Sequence, residues 1–352
     1  SSSGTIEDNS AGTFALITGG GSLTVPATSH YYANTNRTFT TGTVTGTITH
    51  NGNGSTADYR MNLTFSSLTV NPEGSIDAGE KGYIQSEGPG QGTDGSTGGG
   101  GGYGGYGGSG MSAAAGTAGG ITYGSITAPV DLGSGGGVVS NFAGRGGGAI
   151  QLAVSGTLTN NGSITASGEN VDPTAIGSYP GGSGGSVYLD VGTLAGTGNI
   201  TSNGGSAMTV NGAGGGGGGG RISLLYATDS SSLATLSAYG GTYYTGTLRP
   251  TFGGAGTVYK KADAASNGDL IIDNNFQDPG VDDRHFGKTP LTGTFTFENL
   301  TIKSRAHVVL NADSAITYSS LDWSSSGTIE DNSAGTFALV TSTGSITIPT
   351  TS

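Results

Sequence analysis

Apolar side chains in this chain arrive one at a time. Val187, Leu189 and Val191 alternate with Tyr188 and Asp190, and Ile222, Leu224 and Tyr226 keep the same spacing. A period of two places one set of side chains on one face of an extended strand. The runs are short and end in Asn and Gly, as at Asn160-Asn161-Gly162. These residue types accept the left-handed backbone of a sharp corner. No segment sustains a helical period with caps, so the pattern predicts an all-β fold.

The runs also recur. Residues 156–191 and 192–227 share one grammar: short strand, Asn/Gly corner, short strand, Gly pair, glycine-rich loop, closing strand. Leu158 maps to Leu194, Ile164 to Ile200 and Gly168 to Gly204 at a spacing of 36, and residues 187–191 map to 222–226 at 35. An earlier copy opens at Leu68 and closes at residues 144–154, and a degenerate one runs from Leu236 to Lys261. One such unit cannot bury its apolar face alone. Equivalent strands stacked at about 4.8 Å give a parallel ladder with a continuous core. The expectation is an elongated, right-handed parallel β-helix (a β-solenoid) with glycine-rich loops. The flanks at residues 38–49 and 295–310 read as shorter coils of the same kind, with an antiparallel β-sandwich as the alternative. For residues 95–110 two readings stand: a flexible loop, or packed extended glycine strands with Tyr103 and Tyr106 lying over a neighbour.

A longer repetition frames the chain. The sixteen residues SSSGTIEDNSAGTFAL open it and return 323 positions later, with a looser match continuing to Ser352. The organisation reads as a Thr-rich strand segment at 1–67, with a first bookend at 1–29. Glycine-rich repeats follow at 68–261, with an insertion near 80–143. An acidic loop at 262–287 and closing strands at 288–352, with the second bookend at 324–352, complete it. Self-similarity at a fixed period marks a tandem array, so the favoured expectation is a window on a longer chain; the alternative is two homologous end segments within one finished protein. Ile6, Phe14, Leu16, Trp323, Ile329, Phe337 and Leu339 are the apolar residues expected at the seam between units. Trp323, the single Trp, is expected in the core. Glu7-Asp8-Asn9 and its copy Glu330-Asp331-Asn332 read as exposed polar turns.

Composition sharpens this picture. Glycine is 72 of 352 residues, about three times its usual share, without the Gly-X-Y period of collagen. Only 10 % of residues are charged, and the net charge is −12. The twelve basic residues are scattered, which excludes an electrostatic nucleic-acid surface. Cysteine is absent, so disulfides, thiolate zinc sites and thiol catalysis are excluded. No apolar run is long enough for a transmembrane helix.

The grammar of GSITASG and GGSGGSVYL resembles the glycine-rich repeats of very large bacterial surface and adhesin-like proteins, over residues 68–261. The resemblance implies an extracellular or cell-surface location and a structural or adhesive role. The leading expectation is a non-catalytic repeat unit of a filament, stalk or sheath, with itself as partner, end to end. The alternatives are a glycan-binding adhesin surface and, third, a polysaccharide-cleaving β-helix.

Candidate chemistry is sparse, and no cofactor is expected. Asp278, Asp282 and Asp283 are the densest carboxylates and could gather around Ca²⁺ or serve as a glycosidase pair. A solvated turn rich in Pro, Gly and Asp is the favoured reading, because the spacing matches neither an EF-hand nor a polygalacturonase set. His30, His50, His285 and His307 show no metal-ligand spacing. No Gly-Lys-Ser/Thr closes the glycine runs, so they are not phosphate cradles.

Overall fold

The computed structural model describes residues 5–8, 21–111, 116–171, 179–207, 214–242, 252–275, 287–311, 314–324, 327–331 and 338–341. Regular structure among them is entirely β. The longer strands form one eleven-stranded sheet, in chain order: Leu23–Val25, Arg37–Val44, Met61–Val70, Ala149–Asn160, Ser186–Ala195, Arg221–Asp229, Thr257–Ala262, Gly268–Asp273, Thr294–Lys303, Ala315–Trp323 and Ala338–Thr341. The short strands form a seven-stranded sheet from Thr5–Asp8 through His30–Ala33, Thr47–Thr49, Ser75–Asp77, Ser163–Thr165 and Asn199–Thr201 to Thr235–Ser237. Lys288–Leu291, His307–Leu310 and Thr328–Asp331 make a third. The chain runs through a long strand, turns into a short one, and returns to lay the next long strand beside the last.

Register explains why alternation is so regular. Ile48, Ile76, Ile164, Ile200 and Leu236 stand opposite one another in successive short strands. Leu63, Leu152, Leu189 and Leu224 do the same in the long ones, as do Leu68, Leu158 and Leu194. The residues aligned at 36 in the sequence are thus paired neighbours. These columns form the first core cluster, running from Leu23 to Val258 and almost wholly shielded from water, with partly buried Leu236 packed against it. Each such side chain contributes about 1.5–3 kcal/mol on burial, and a one-residue slip would expose the whole set.

The ladder is parallel with one exception. Thr257–Ala262 pairs antiparallel with Gly268–Asp273, whereas the sequence reading expected parallel strands throughout. Gly268–Asp273 is therefore a strand within the stretch 262–287 expected to be an acidic loop, and the cause of its direction is the connection. Only residues 263–267 link the two, and a link that short cannot make the crossover a parallel pair needs. A second core cluster follows, with Tyr259, Leu270, Ile272, Phe297, Leu300, Ile302, Val308 and Tyr318. The flanks pair in parallel, which corrects the sandwich alternative. Positive φ at Ser304 (54°) and Arg305 (61°) makes the corner between their last strands.

The glycine segments are packed, extended backbone. Donors three residues apart face the same neighbour: Gly181 and Gly184 donate to Gly215 and Gly218, which in turn donate to Gly98 and Gly101. Gly217 and Gly220 donate to Gly205 and Ser202, running the opposite way. A three-residue turn of this kind is the polyproline-like conformation, which has no hydrogen bonds within a strand. Each glycine run therefore spends its N–H and C=O groups on several surrounding strands. A Cβ on Gly217 would sit 1.9 Å from the Gly182 carbonyl oxygen, and one on Gly253 1.8 Å from that of Gly217. Only glycine permits this spacing. The insertion threads the lattice, with Tyr103 fully buried and Tyr106 partly so.

Candidate assembly seam and buried polar sites

The repeated Thr-Ile-Glu-Asp occupies the outermost position of two different sheets. Thr5–Asp8 is the first strand of the seven-stranded sheet, where Thr5, Ile6, Glu7 and Asp8 face His30, Tyr31, Tyr32 and Ala33. Thr328–Asp331 is the last strand of the three-stranded sheet, where the same four residue types face His307, Val308, Val309 and Leu310. The expected exposed polar turn at Glu7-Asp8 and Glu330-Asp331 is therefore strand. A sheet edge lay within reach, and Ile329 has apolar company there, packing at the margin of the second cluster.

Charge is gathered at that second edge. The Glu330 carboxylate lies 2.7 Å from Lys288 Nζ and 2.7 Å from His307 Nε2. Lys288 and His307 come from the two preceding strands, so this cluster fastens three rungs. Sequence reasoning missed it because the three residues are far apart in the chain and alternate with ordinary strand residues. Trp323 is half-buried at the margin of the second cluster, not central as expected. Its indole Nε1 donates to the Gly327 carbonyl at 2.6 Å and closes the corner leading into the edge strand. Of the other seam residues, Ile6 faces Tyr31 and Leu339 faces Ile316 in backbone register. Phe14, Leu16 and Phe337 lie outside the described residues.

Asp278, Asp282, Asp283 and His285 also lie outside the described residues. Among the described ones, no group of three or more His, Asp or Glu gathers as metal ligands.

Two buried polar groups stand out. Arg221, 4 % exposed, ends a run of seven glycines and enters the long sheet. Its Nε donates to the Tyr123 carbonyl at 2.9 Å, one terminal nitrogen to Thr257 Oγ1 at 3.2 Å, and the guanidinium lies 5.5 Å from the Tyr103 ring centroid. Burial lowers its pKa, and the neighbouring Tyr103 opposes that shift. The Tyr103 hydroxyl donates to Ser186, which donates to the Asp131 carbonyl, each at 2.6 Å. Burial pushes this phenol up to about 12. A lone arginine after a glycine run was the available signal. His50 is the second group. Its Nδ1–H donates to the Asn51 carbonyl at 2.8 Å, and its buried Nε2 has no hydrogen-bond partner. Burial holds its pKa down at about 4.

A shallow polar groove runs along the short-strand corners, lined by Ser167, Asn170, Asn203, Ser206, Tyr239 and Thr242. Its side chains bond the ladder itself: Asn203 Oδ1 accepts from Tyr239 N at 2.7 Å, and Asn170 Oδ1 from Ser206 N at 2.8 Å. Asn53, which opens the glycosylation-type triplet Asn53-Gly54-Ser55, is buried and bonded to Tyr59 and Lys81, a structural role that leaves no room for a glycan.

Comparison with protein-family models, curated proteins and solved structures finds no match. No helix among the described residues is long and apolar enough to cross a membrane.

Proposed function

We propose that this chain is a mechanical, non-catalytic repeat unit of an extracellular filament, stalk or sheath. Its strands wind as a β-solenoid, and its ends join further units of the same kind. The observation that carries the reading is the pair of outermost strands with one sequence. Among the described residues both are outermost strands, and an open strand edge invites another strand. The extracellular assignment rests on the resemblance of the glycine-rich grammar to bacterial surface proteins.

The test is electron microscopy and sedimentation of the purified chain and of longer arrays of it. Rods whose length grows with unit number are expected. Compact particles whose diameter rises with unit number in all directions would overturn the reading. A glycan-binding surface would lie along the Tyr239 groove. Its Asn and Ser side chains already serve the ladder, so the mechanical reading is preferred; a glycan array with no binding is the matching result.

A further inference from the structure

The two ends also say how units join. We infer that the repeated segment is a shared rung, in which one copy both closes the ladder of one unit and opens that of the next. The following unit of this sequence then joins by continuing the chain, not by stacking a second copy of the strand on the first. The inference rests on the end-to-end reading.

Three observations carry it. First, the same four residues pair in full register on opposite edges, with His307–Leu310 in one case and His30–Ala33 in the other. One strand can therefore serve both neighbours at once. Its Ile would sit between Val308 and Tyr31, which are 1 % and 2 % exposed, extending one buried apolar column through the junction. Second, stacking two copies in register would set Glu7 against Glu330 and Asp8 against Asp331. Like charges directly opposite each other destabilise a strand pair. A shared rung instead carries one Glu between Val309 and Tyr32 and one Asp between Leu310 and Ala33. Third, the long sheet obeys the same arithmetic. Ala338–Thr341 ends it, and subtracting 323 equates these residues with positions 15–18, just ahead of the opposite edge strand Leu23–Val25. The eleven strands then give ten steps per unit, about 48 Å at about 4.8 Å each, whereas stacked copies would give about 53 Å.

The test uses two longer chains. Residues 1–323 followed by residues 1–352 carry one copy of the segment at the junction; two complete 352-residue units in series carry two. Hydrogen exchange read by mass spectrometry separates junction peptides from terminal ones, because Asp322-Trp323 precedes and Ile17-Thr18-Gly19 follows the single-copy junction. Exchange at that junction is expected to be slower by about a hundredfold or more than in the same residues at a free end. The two-copy junction should gain no such protection. Protection in the two-copy chain alone would overturn the shared rung and leave end-to-end assembly standing. Protection in both would overturn it as well, since stacking would then be tolerated. Fast exchange in both would defeat the end-to-end reading itself.

Discussion

Gly217→Ala tests whether the glycine lattice holds the structure together. The new methyl would lie 1.9 Å from the Gly182 carbonyl oxygen and 2.5 Å from its carbon. Ordinary contact needs more than 3 Å, so the strand at 181–185 and the run at 214–220 must part by over an ångström. Three hydrogen bonds lie in the path: Gly217 N to Gly205 O at 2.9 Å, Gly205 N to Gly182 O at 2.8 Å and Gly241 N to Gly217 O at 2.7 Å. Overpacking costs about 1–3 kcal/mol, and weakening these bonds adds about 0.5–1.5 kcal/mol for each one lost. The reduced freedom of the unfolded chain returns about 0.4–1 kcal/mol. The net expectation is a loss of about 2–7 kcal/mol. At about 2.1 cal/mol/K of unfolding entropy per residue, this lowers the melting temperature by about 3–9 °C. Gly54→Ala is the matched control. A Cβ there meets nothing within 4 Å, so a change between zero and a gain of about 1 kcal/mol is expected. Thermal unfolding followed by circular dichroism reads both. If the two variants melt together, close backbone approach is not what positions the glycine runs.

Three further outcomes follow from buried and edge groups. His50 falls from 6.5 to about 4 on folding because burial disfavours its charged form, so the unfolded state binds the extra proton between those values. Its contribution is complete above pH 6.5 and is lost, by about 3 kcal/mol, as pH falls towards 4; His50→Phe should flatten that part of the stability profile, and an unchanged slope refutes the assignment. Arg221→Met strands the Tyr123 carbonyl and Thr257 hydroxyl at about 1–3 kcal/mol each; a denaturant midpoint corresponding to less than about 1 kcal/mol of loss would show that the guanidinium does not clamp the insertion. Deleting residues 324–352 uncovers His307–Leu310 and should produce concentration-dependent association in sedimentation; a monomer as stable as the full chain would refute the edge argument.

The ladder was legible because alternation and register obey the same arithmetic. Leu158 and Leu194, like Ile164 and Ile200, stand 36 residues apart in the chain and are neighbours in the ladder. The reversal at 263–267 was not legible, since a period of two reads the same in parallel and antiparallel strands. The lattice was only half visible. Glycine carries no side chain to reveal a face, so composition could not separate packed backbone from loop until the threefold hydrogen-bond pattern was known. The Lys288–His307–Glu330 cluster was invisible because chain separation hides contacts made across rungs.

These missed features are linked, and the link bears on how the two halves of the ladder hold together. The two cores of the ladder meet at the antiparallel step at Thr257–Ala262, with Val258 in one and Tyr259 in the other. The insertion bridges that step. Tyr106 N donates to the Lys288 carbonyl at 2.9 Å beyond the reversal, and its carbonyl accepts from Gly254 N at 2.8 Å before it. Gly104 and Gly105 both donate to the Gly219 carbonyl deeper in the first half. Lys288 then extends its ammonium to Glu330 in the last strand of the three-stranded sheet. Backbone hydrogen bonds thus run from the glycine interior across the reversal to the residue whose side chain pairs with Glu330 in the outermost strand of the three-stranded sheet. A long glycine insertion lying loose would cost entropy and brace nothing. Packed as it is, it ties both halves together, which is why it is best understood as part of the framework and not as a loop between its pieces.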